Sequence, residues 1–234
     1  VYYETLKNRY PNVRILTWKK EFNYSAINNF AVREARGEYL LFLNNDVEII
    51  TESWLEEMLQ LCQRKEVGIV GARLLYEGDT IQHAGVVVGL GGVAAHVLCK
   101  FPRDAEGYMG RLRCVQEISA VTAACMMVKT SVFKAVGGFD EELKVAFNDI
   151  DLCMKVRKYG VKIVFTPYAE LYHYESKSRG MEDTPEKQLR FSREVNCFRR
   201  KWERELLKGD PYYNPNLTLN NTDCSLRKQE KNGD

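Results

Sequence analysis

Gly37-Glu38-Tyr39-Leu40-Leu41-Phe42-Leu43-Asn44-Asn45-Asp46-Val47-Glu48 is the stretch on which the reading of this chain turns. Five apolar residues, Tyr39 to Leu43, lie between a glycine and a polar cluster. That is the pattern of a short strand buried on both faces, as in a parallel or mixed sheet. Ligands of open α/β sheets bind beyond the carboxyl ends of the strands. At that end Asn44, Asn45, Asp46 and Glu48 supply two amides and two carboxylates, a set suited to a hard divalent cation and the phosphates it would bridge. The same residues also read as a polar turn, and the stretch alone does not separate the two readings.

Upstream, residues 1–10 have a helical pattern closed by Pro11-Asn12, and residues 13–18 predict a short strand. Residues 23–36 predict a helix capped by Asn23 or Ser25, with Ile27, Phe30, Ala31 and Ala35 as its apolar stripe and Gly37 as its stop. Strand, helix and strand make a β-α-β unit, which implies a parallel pair with a right-handed crossover.

Downstream, Thr51 or Ser53 opens a helix through Cys62, and residues 67–76 follow as a strand. Residues 81–98 are glycine- and valine-rich strands and loops; residues 101–113 form an irregular loop. Residues 118–128 predict a long buried strand, and Thr130 starts a short helix ended by Gly137-Gly138. A helix runs from Asn148 or Asp149 to Gly160, then a strand over residues 162–174 interrupted near Pro167. Residues 184–207 form a long charged helix with Leu189, Phe191, Val195, Phe198 and Trp202 as its buried side. From Asp210 the chain is polar, and its last dozen residues look disordered. The expected organisation is one α/β domain over residues 1–209 with a tail over 210–234, without repeats or linkers.

Composition excludes several classes. The 234 residues suffice for a full core, and 45% hydrophobic with 28% charged content is ordinary for a globular protein. A net charge of +2 gives no basis for nucleic-acid binding. The seven cysteines are odd in number and lack a Cys-x-x-Cys, which argues against a disulfide framework or zinc site and for a reducing compartment. No apolar run approaches the roughly 18 residues of a membrane span, and no signal peptide is apparent.

Two further stretches place ionisable groups where packing does not need them. In Phe147-Asn148-Asp149-Ile150-Asp151-Leu152, helical spacing puts Asp149 on the inward stripe with Leu152, Cys153 and Val156. It puts Asp151 on a surface stripe with Lys155 and Lys158. Asp149 is therefore the carboxylate aimed at the interior or a cleft and the general-base candidate. Acidic residues in a first turn also simply favour a helix N-terminus, and that explanation stays open. In Leu171-Tyr172-His173-Tyr174-Glu175-Ser176, His173 ends an apolar strand and is a metal-ligand candidate, although a lone histidine is more often structural. His83 and His96 have a weaker claim. The glycines at 89, 91 and 92 form no phosphate loop, since no helix follows them, and no nucleophile elbow is present.

Residues 29–48, Gly137-Gly138-Phe139-Asp140-Glu141, the Asn148-Asp149-x-Asp151-Leu152 helix start and Tyr172-His173-Tyr174-Glu175-Ser176-x-Ser178-Arg179-Gly180 together resemble family 2 glycosyltransferases of GT-A fold. They look closest to the bacterial branch that builds O-antigen, rhamnose-rich and other cell-surface polysaccharides. Even Asp210-Pro211-Tyr212-Tyr213-Asn214-Pro215-Asn216-Leu217 looks like the end of that branch's domain. The resemblance implies a three-layer α/β fold with a mixed, mostly parallel sheet, and an inverting, nucleotide-sugar-dependent transferase. The acceptor would be a saccharide, free or lipid-linked.

By the same resemblance, an Asp-x-Asp-like motif holding Mg²⁺ or Mn²⁺ on the donor diphosphate falls on Asn44-Asn45-Asp46. Asp46 would be the metal ligand, while Asn44 replaces the commoner first Asp. His173 falls on a further metal ligand and Asp149 on the catalytic base, with Asn148 in place of the usual Glu. Asn29 falls near the donor diphosphate, and Gly137, Gly138, Phe139 and Asp140 on the acceptor side. A cytoplasmic location, with peripheral association at the inner membrane face, goes with such an enzyme. The family's opening strand, helix and second strand have no counterpart here, so this stretch alone is expected to bind donor weakly or not to fold autonomously. The alternatives are a sugar nucleotidyltransferase and an inactive carbohydrate-binding domain. Asp149 and His173 fit transfer to a hydroxyl better than the first; Asn44 and Asn148 keep the second open.

Overall fold

The computed structural model describes residues 2–175 and 184–228. The first helix, α1 (Tyr2–Arg9), buries none of its residues. Residues 13–18 form no strand. A strand needs a ladder partner for its N–H and C=O groups, and none of the described strands lies beside this segment. The expected β-α-β unit is therefore absent from the described residues.

Next comes α2 (Tyr24–Glu34), where the Asn23 side chain accepts from the Ala26 N–H at 3.0 Å. It ends at an extended Ala35, two residues before Gly37, and its buried positions are Ser25, Ala26 and Val32 rather than the expected stripe. The opening apolar run forms β1 (Tyr39–Leu43), and the turn after it leads into β2 (Val47–Ile49). Leu40 and Phe42 of β1 are buried, Tyr39 and Leu41 half-buried, and Leu43 is 41% exposed, so burial on both faces is only partial. The reason is position: β1 is an edge strand of the described sheet.

After α3 (Trp54–Cys62) the chain forms β3 (Val67–Leu75), β4 (Ile81–His83), β5 (Val86–Val88), β6 (Ala94–His96) and β7 (Gln116–Glu117). It continues through β8 (Cys125–Lys129), α4 (Thr130–Ala135), α5 (Asn148–Lys158), β9 (Lys162–His173) and α6 (Pro185–Lys208). The main sheet runs β1-β8-β3-β9-β2, with β4 on β3 and β7 on β9. It is mixed, as expected, though only β3–β9 runs parallel among the described strands. The register of that pair slips between Ala72/Thr166 and Arg73/Glu170, beside Pro167, whose missing N–H cannot join a ladder.

Alternation along β3 separates two cores. Val70, Ala72 and Leu74 pack under α3 with Met58, Cys62, Met127 and Leu171. Ile69 and Leu75 face the larger core, with Phe42, Phe133, Phe139, Phe165, Phe198 and Trp202. The result is three layers, α3 on one face and α2, α4, α5 and α6 on the other.

The predicted strand over residues 118–128 is a strand only from Cys125; before it lies a buried arch. Its polar backbone goes to separate partners instead of one ladder. Val86 N–H donates to Ala120 O at 2.9 Å, Ala123 N–H to Asp149 Oδ2 at 3.1 Å, and Asn44 N–H to Ala124 O at 2.9 Å. Gly71 permits this arch, because a Cβ there would stand 2.4 Å from Val121 Cγ1.

On α6 the buried residues are Glu194, Phe198 and Trp202, whereas Leu189 is 53% and Phe191 41% exposed. The tail packs against the domain, with Leu98 N–H donating to Thr222 O, and then turns back on itself, with Arg227 N–H donating to Asn216 O at 2.8 Å. Cys224 is buried, so the expected terminal disorder does not begin there; residues 229–234 lie outside the described ones.

Candidate active site

Two groups of side chains are brought together by the arch. The first gathers at the strand ends. Asn44 leaves β1, Asn45 and Asp46 make the turn, and β2 then pairs antiparallel with β9 so that Val47 faces His173. Tyr174 N–H donates to Asp46 O at 2.8 Å and fixes this turn against the end of β9. His173 Nε2 thereby comes within 3.3 Å of Asp46 Oδ1 and 3.1 Å of Asn44 Nδ2. Asn45 is exposed.

The protonation of His173 follows from Gln82, a buried residue of β4 that the sequence reading passed over. Gln82 Nε2 donates to His173 O at 3.1 Å, so Gln82 Oε1 is the acceptor that faces His173 Nδ1 at 2.6 Å. The Nδ1–H is thereby fixed, and Nε2 carries a lone pair. Burial pushes the imidazole below its usual range, against the opposing pull of the Asp46 and Glu175 carboxylates. The His173 Nε2 lone pair, which accepts from Asn44 Nδ2–H, thus lies beside Asp46 Oδ1, a buried carboxylate oxygen without a hydrogen-bond donor.

These atoms fit a divalent cation. Two adjacent ligands of an octahedral ion, each about 2.1 Å from it, lie about 3 Å apart. Among the described residues no three His, Cys, Asp or Glu side chains cluster as a metal site. The chain would therefore supply Asp46 and His173, leaving other positions to water and phosphate, as Mg²⁺ commonly requires.

The second group stands at the start of α5. Asp149 is half-buried; its Oδ2 accepts from Ala123 N–H at 3.1 Å and its Oδ1 from Ile150 N–H at 2.8 Å. Burial and then the Asp149 charge push the nearby Tyr24 phenol upward, and its O–H donates to Ala123 O at 3.1 Å. The Asn44 N–H is bound by Ala124 O and the Asp149 carboxylate by the adjacent Ala123 N–H, so adjacent residues of the arch hold the strand end and the helix start.

Asp151 overturns the spacing argument. It is fully buried, not a surface residue, with Oδ1 accepting from Trp202 Nε1 at 2.8 Å and Lys201 Nζ at 2.7 Å, and Oδ2 3.3 Å from Lys155. Helical spacing treats the face opposite the apolar stripe as solvent, but α6 covers that face here.

The other expected site residues serve the scaffold. Asn29 spans Phe139: Nδ2 donates to its O at 3.0 Å and Oδ1 accepts from its N–H at 3.0 Å. Gly138 allows this, since at φ 67° a Cβ would lie 2.7 Å from Asn29 Oδ1. Gly137 ends α4 with φ 80° and open space beside it. The Phe139 ring is buried against Tyr24, Phe42 and Phe133, so it faces the core instead of a cleft. Asp140 pairs with Lys201; burial raises its pKa, but that pairing and the Glu142 N–H bring it below the usual carboxylate range. Ser176, Ser178, Arg179 and Gly180 lie outside the described residues.

The family model described as Glycosyl transferase family 2 matches residues 2–137. The chain belongs to glycosyl transferase family 2. This family 2 domain is 55% identical over 215 residues to the uncharacterized protein y4gI of Sinorhizobium fredii, covering 92% of the chain and 24% of that protein. It is 42% identical over 225 residues to the O-antigen biosynthesis protein RfbC of Myxococcus xanthus, covering 96% of the chain and 17% of that protein. The chain thus spans about a quarter or less of these relatives. Among solved structures, mannosyltransferase PcManGT from Pyrobaculum calidifontis, in complex with GDP-Man and Mn²⁺, superposes with a TM-score of 0.58 at 15% identity, over 86% of this chain and 50% of that one. The shared architecture is the GT-A fold. No described helix of this family 2 domain is long and apolar enough to cross a membrane.

Proposed function

We propose that this domain transfers a sugar from a nucleoside-diphosphate donor to a hydroxyl of a growing saccharide, with inversion and with Mg²⁺ or Mn²⁺, in the synthesis of bacterial cell-surface polysaccharide. The observation that carries this reading is the pairing of two unlike groups across Ala123-Ala124. One is an unsatisfied Asp46 oxygen facing the His173 lone pair, and the other is a carboxylate oriented by two N–H donors. A cation held by Asp46 and His173 would supply Lewis-acid stabilisation of the departing diphosphate. Asp149 accepts the proton of the acceptor hydroxyl as its oxygen bonds to the sugar carbon and the bond to the diphosphate breaks. The two N–H bonds fix the carboxylate plane while each oxygen keeps a lone pair for the incoming hydroxyl. Asn44 and Asn45 would meet the donor beside the turn. The acceptor is a saccharide, free or lipid-linked, and a lipid-linked one would bring the domain to the inner face of the membrane.

The test is Asp149→Asn in the full-length protein. Transfer should fall by about 10²–10⁴-fold, while Mn²⁺-dependent binding of the nucleoside diphosphate stays within about twofold. Transfer at the wild-type rate would remove Asp149 from the role of base.

A further inference from the structure

Glu194 is the acidic residue with a job that the site chemistry does not absorb. It lies on α6 at an i, i+4, i+8 stripe with Phe198 and Trp202 and is 2% exposed. A carboxylate buried to that degree needs hydrogen-bond donors. It takes them from the loop ahead of α5: Oε1 accepts from Val145 N–H at 2.8 Å, and Oε2 from Ala146 N–H at 3.1 Å. Arg190, one turn earlier on α6, stands 3.6 Å from Oε2.

The residues that follow are Phe147, Asn148 and Asp149. Phe147 has φ 62°, a left-handed conformation that a bulky residue adopts only where its surroundings impose it. Its ring is held between Phe191 and Phe198 of the same α6. Asn148 Nδ2 closes back on Val145 O at 2.9 Å. From the other side α2 holds the loop, with Tyr24 N–H donating to Lys144 O at 2.8 Å and Ser25 Oγ to Leu143 O at 2.6 Å. With α2 anchoring residues 143–144 and Glu194 anchoring 145–146, the entry angle of α5, and with it the Asp149 carboxylate, is set.

We infer that Glu194 is a positioning residue of the transfer reaction: its carboxylate holds Val145 and Ala146 so that the strained Phe147 turn presents Asp149 to the acceptor hydroxyl. This inference rests on the reading of Asp149 as the base. A misplacement of about 1 Å in a reacting group costs about 10²-fold in rate, so Glu194 acts on turnover and not on donor binding.

The experiment is a double-mutant cycle in the full-length protein with Glu194→Gln, Asp149→Asn and the pair, plus Glu194→Asp as the conservative variant. In Glu194→Gln the amide NH₂ faces one of the two loop N–H groups, donor against donor. We expect kcat to fall about 10–100-fold with KM for the nucleotide sugar unchanged, and Glu194→Asp to recover part of it. In the Asp149→Asn background Glu194→Gln should have no further effect, because a positioning residue has nothing left to position. Should the losses multiply, or kcat be unaffected, Glu194 does not act through Asp149. Full activity of Asp149→Asn would instead sink the base assignment, which is a separate result. If the Glu194 variants do not fold, hydrogen exchange of the wild-type protein decides: Val145 and Ala146 amides should exchange as slowly as the core of α5, and fast exchange there overturns the proposal.

Discussion

The turn between β1 and β2 and the loop that enters α5 each deliver one carboxylate of the site, and they hold it in opposite ways. Asp46 sits on a two-residue turn with one oxygen buried and without a donor, facing a histidine lone pair. In the loop before α5, carbonyls of Leu143, Lys144 and Val145 and the N–H groups of Val145 and Ala146 all have partners from α2, α5 or α6. An unsatisfied polar atom inside a protein costs stability unless a ligand completes it, whereas a satisfied network confers rigidity. The first region is arranged to receive a ligand, and the second to keep a base still.

Paired substitutions put the sharpest strain on this contrast. Asp151→Ala should cost about 1–3 kcal/mol of stability, because it leaves the buried Trp202 Nε1–H without an acceptor and takes one carboxylate from the half-buried Lys155 and from Lys201. Asp46→Ala should leave the denaturant midpoint unchanged or higher, since it removes an unpartnered oxygen, yet abolish saturable Mn²⁺ binding seen by calorimetry. Equal destabilisation by the two would erase the distinction between ligand-receiving and supporting carboxylates.

Gln82→Leu probes the first region more gently. It removes the acceptor of the His173 Nδ1–H and the donor to His173 O. Outer-shell partners of this kind are worth about 10–100-fold in metal affinity. Mn²⁺ titration should show a loss in that range with the fold intact; undiminished affinity would mean that Gln82 does not orient His173.

The smallest expected effect is on pH. Burial, and then the neighbouring His96 and His173, hold His83 well below the ordinary imidazole value of 6.5. Below 6.5 the unfolded chain therefore binds a proton that the folded one refuses, so stability is fully present above that pH and falls as pH is lowered from it. Urea midpoints at about pH 7.5, 6.5 and 5.5 should decline in that order for the wild type and decline less for His83→Gln. Equal slopes would show that His83 is protonated without cost to the fold.

Much of this was legible locally. Strand β1, the helix start at Asn148, the Pro167 interruption in β9 and the stop at Gly137-Gly138 all appear where apolar period, capping and breakers put them. Glu194 was also within reach, as an acid in register with Phe198 and Trp202, but the helix was read with Leu189 and Phe191 inside, and both are exposed. Gln82 gave only the faint signal of an amide in an apolar run. The strand predicted over residues 13–18 failed because its pattern speaks of side chains and says nothing of a ladder partner.

By itself the sequence determined the α/β class and the polar strand end after β1, since each depends on residue type and nearby spacing; residue type made Asp46, Asp149 and His173 candidates, and the family resemblance singled them out. Only the tertiary structure decided which of them meet. Asp46 meets His173 because β2 pairs with β9, and Asp149 stands on the same arch as their strand end because Ala123 N–H binds its carboxylate while Ala124 O binds the Asn44 N–H. Tertiary structure also reversed the environment of Asp151, which depends on a helix 51 residues away in sequence. Periodicity reports which way a side chain leaves its own helix; what waits there is set by long-range packing.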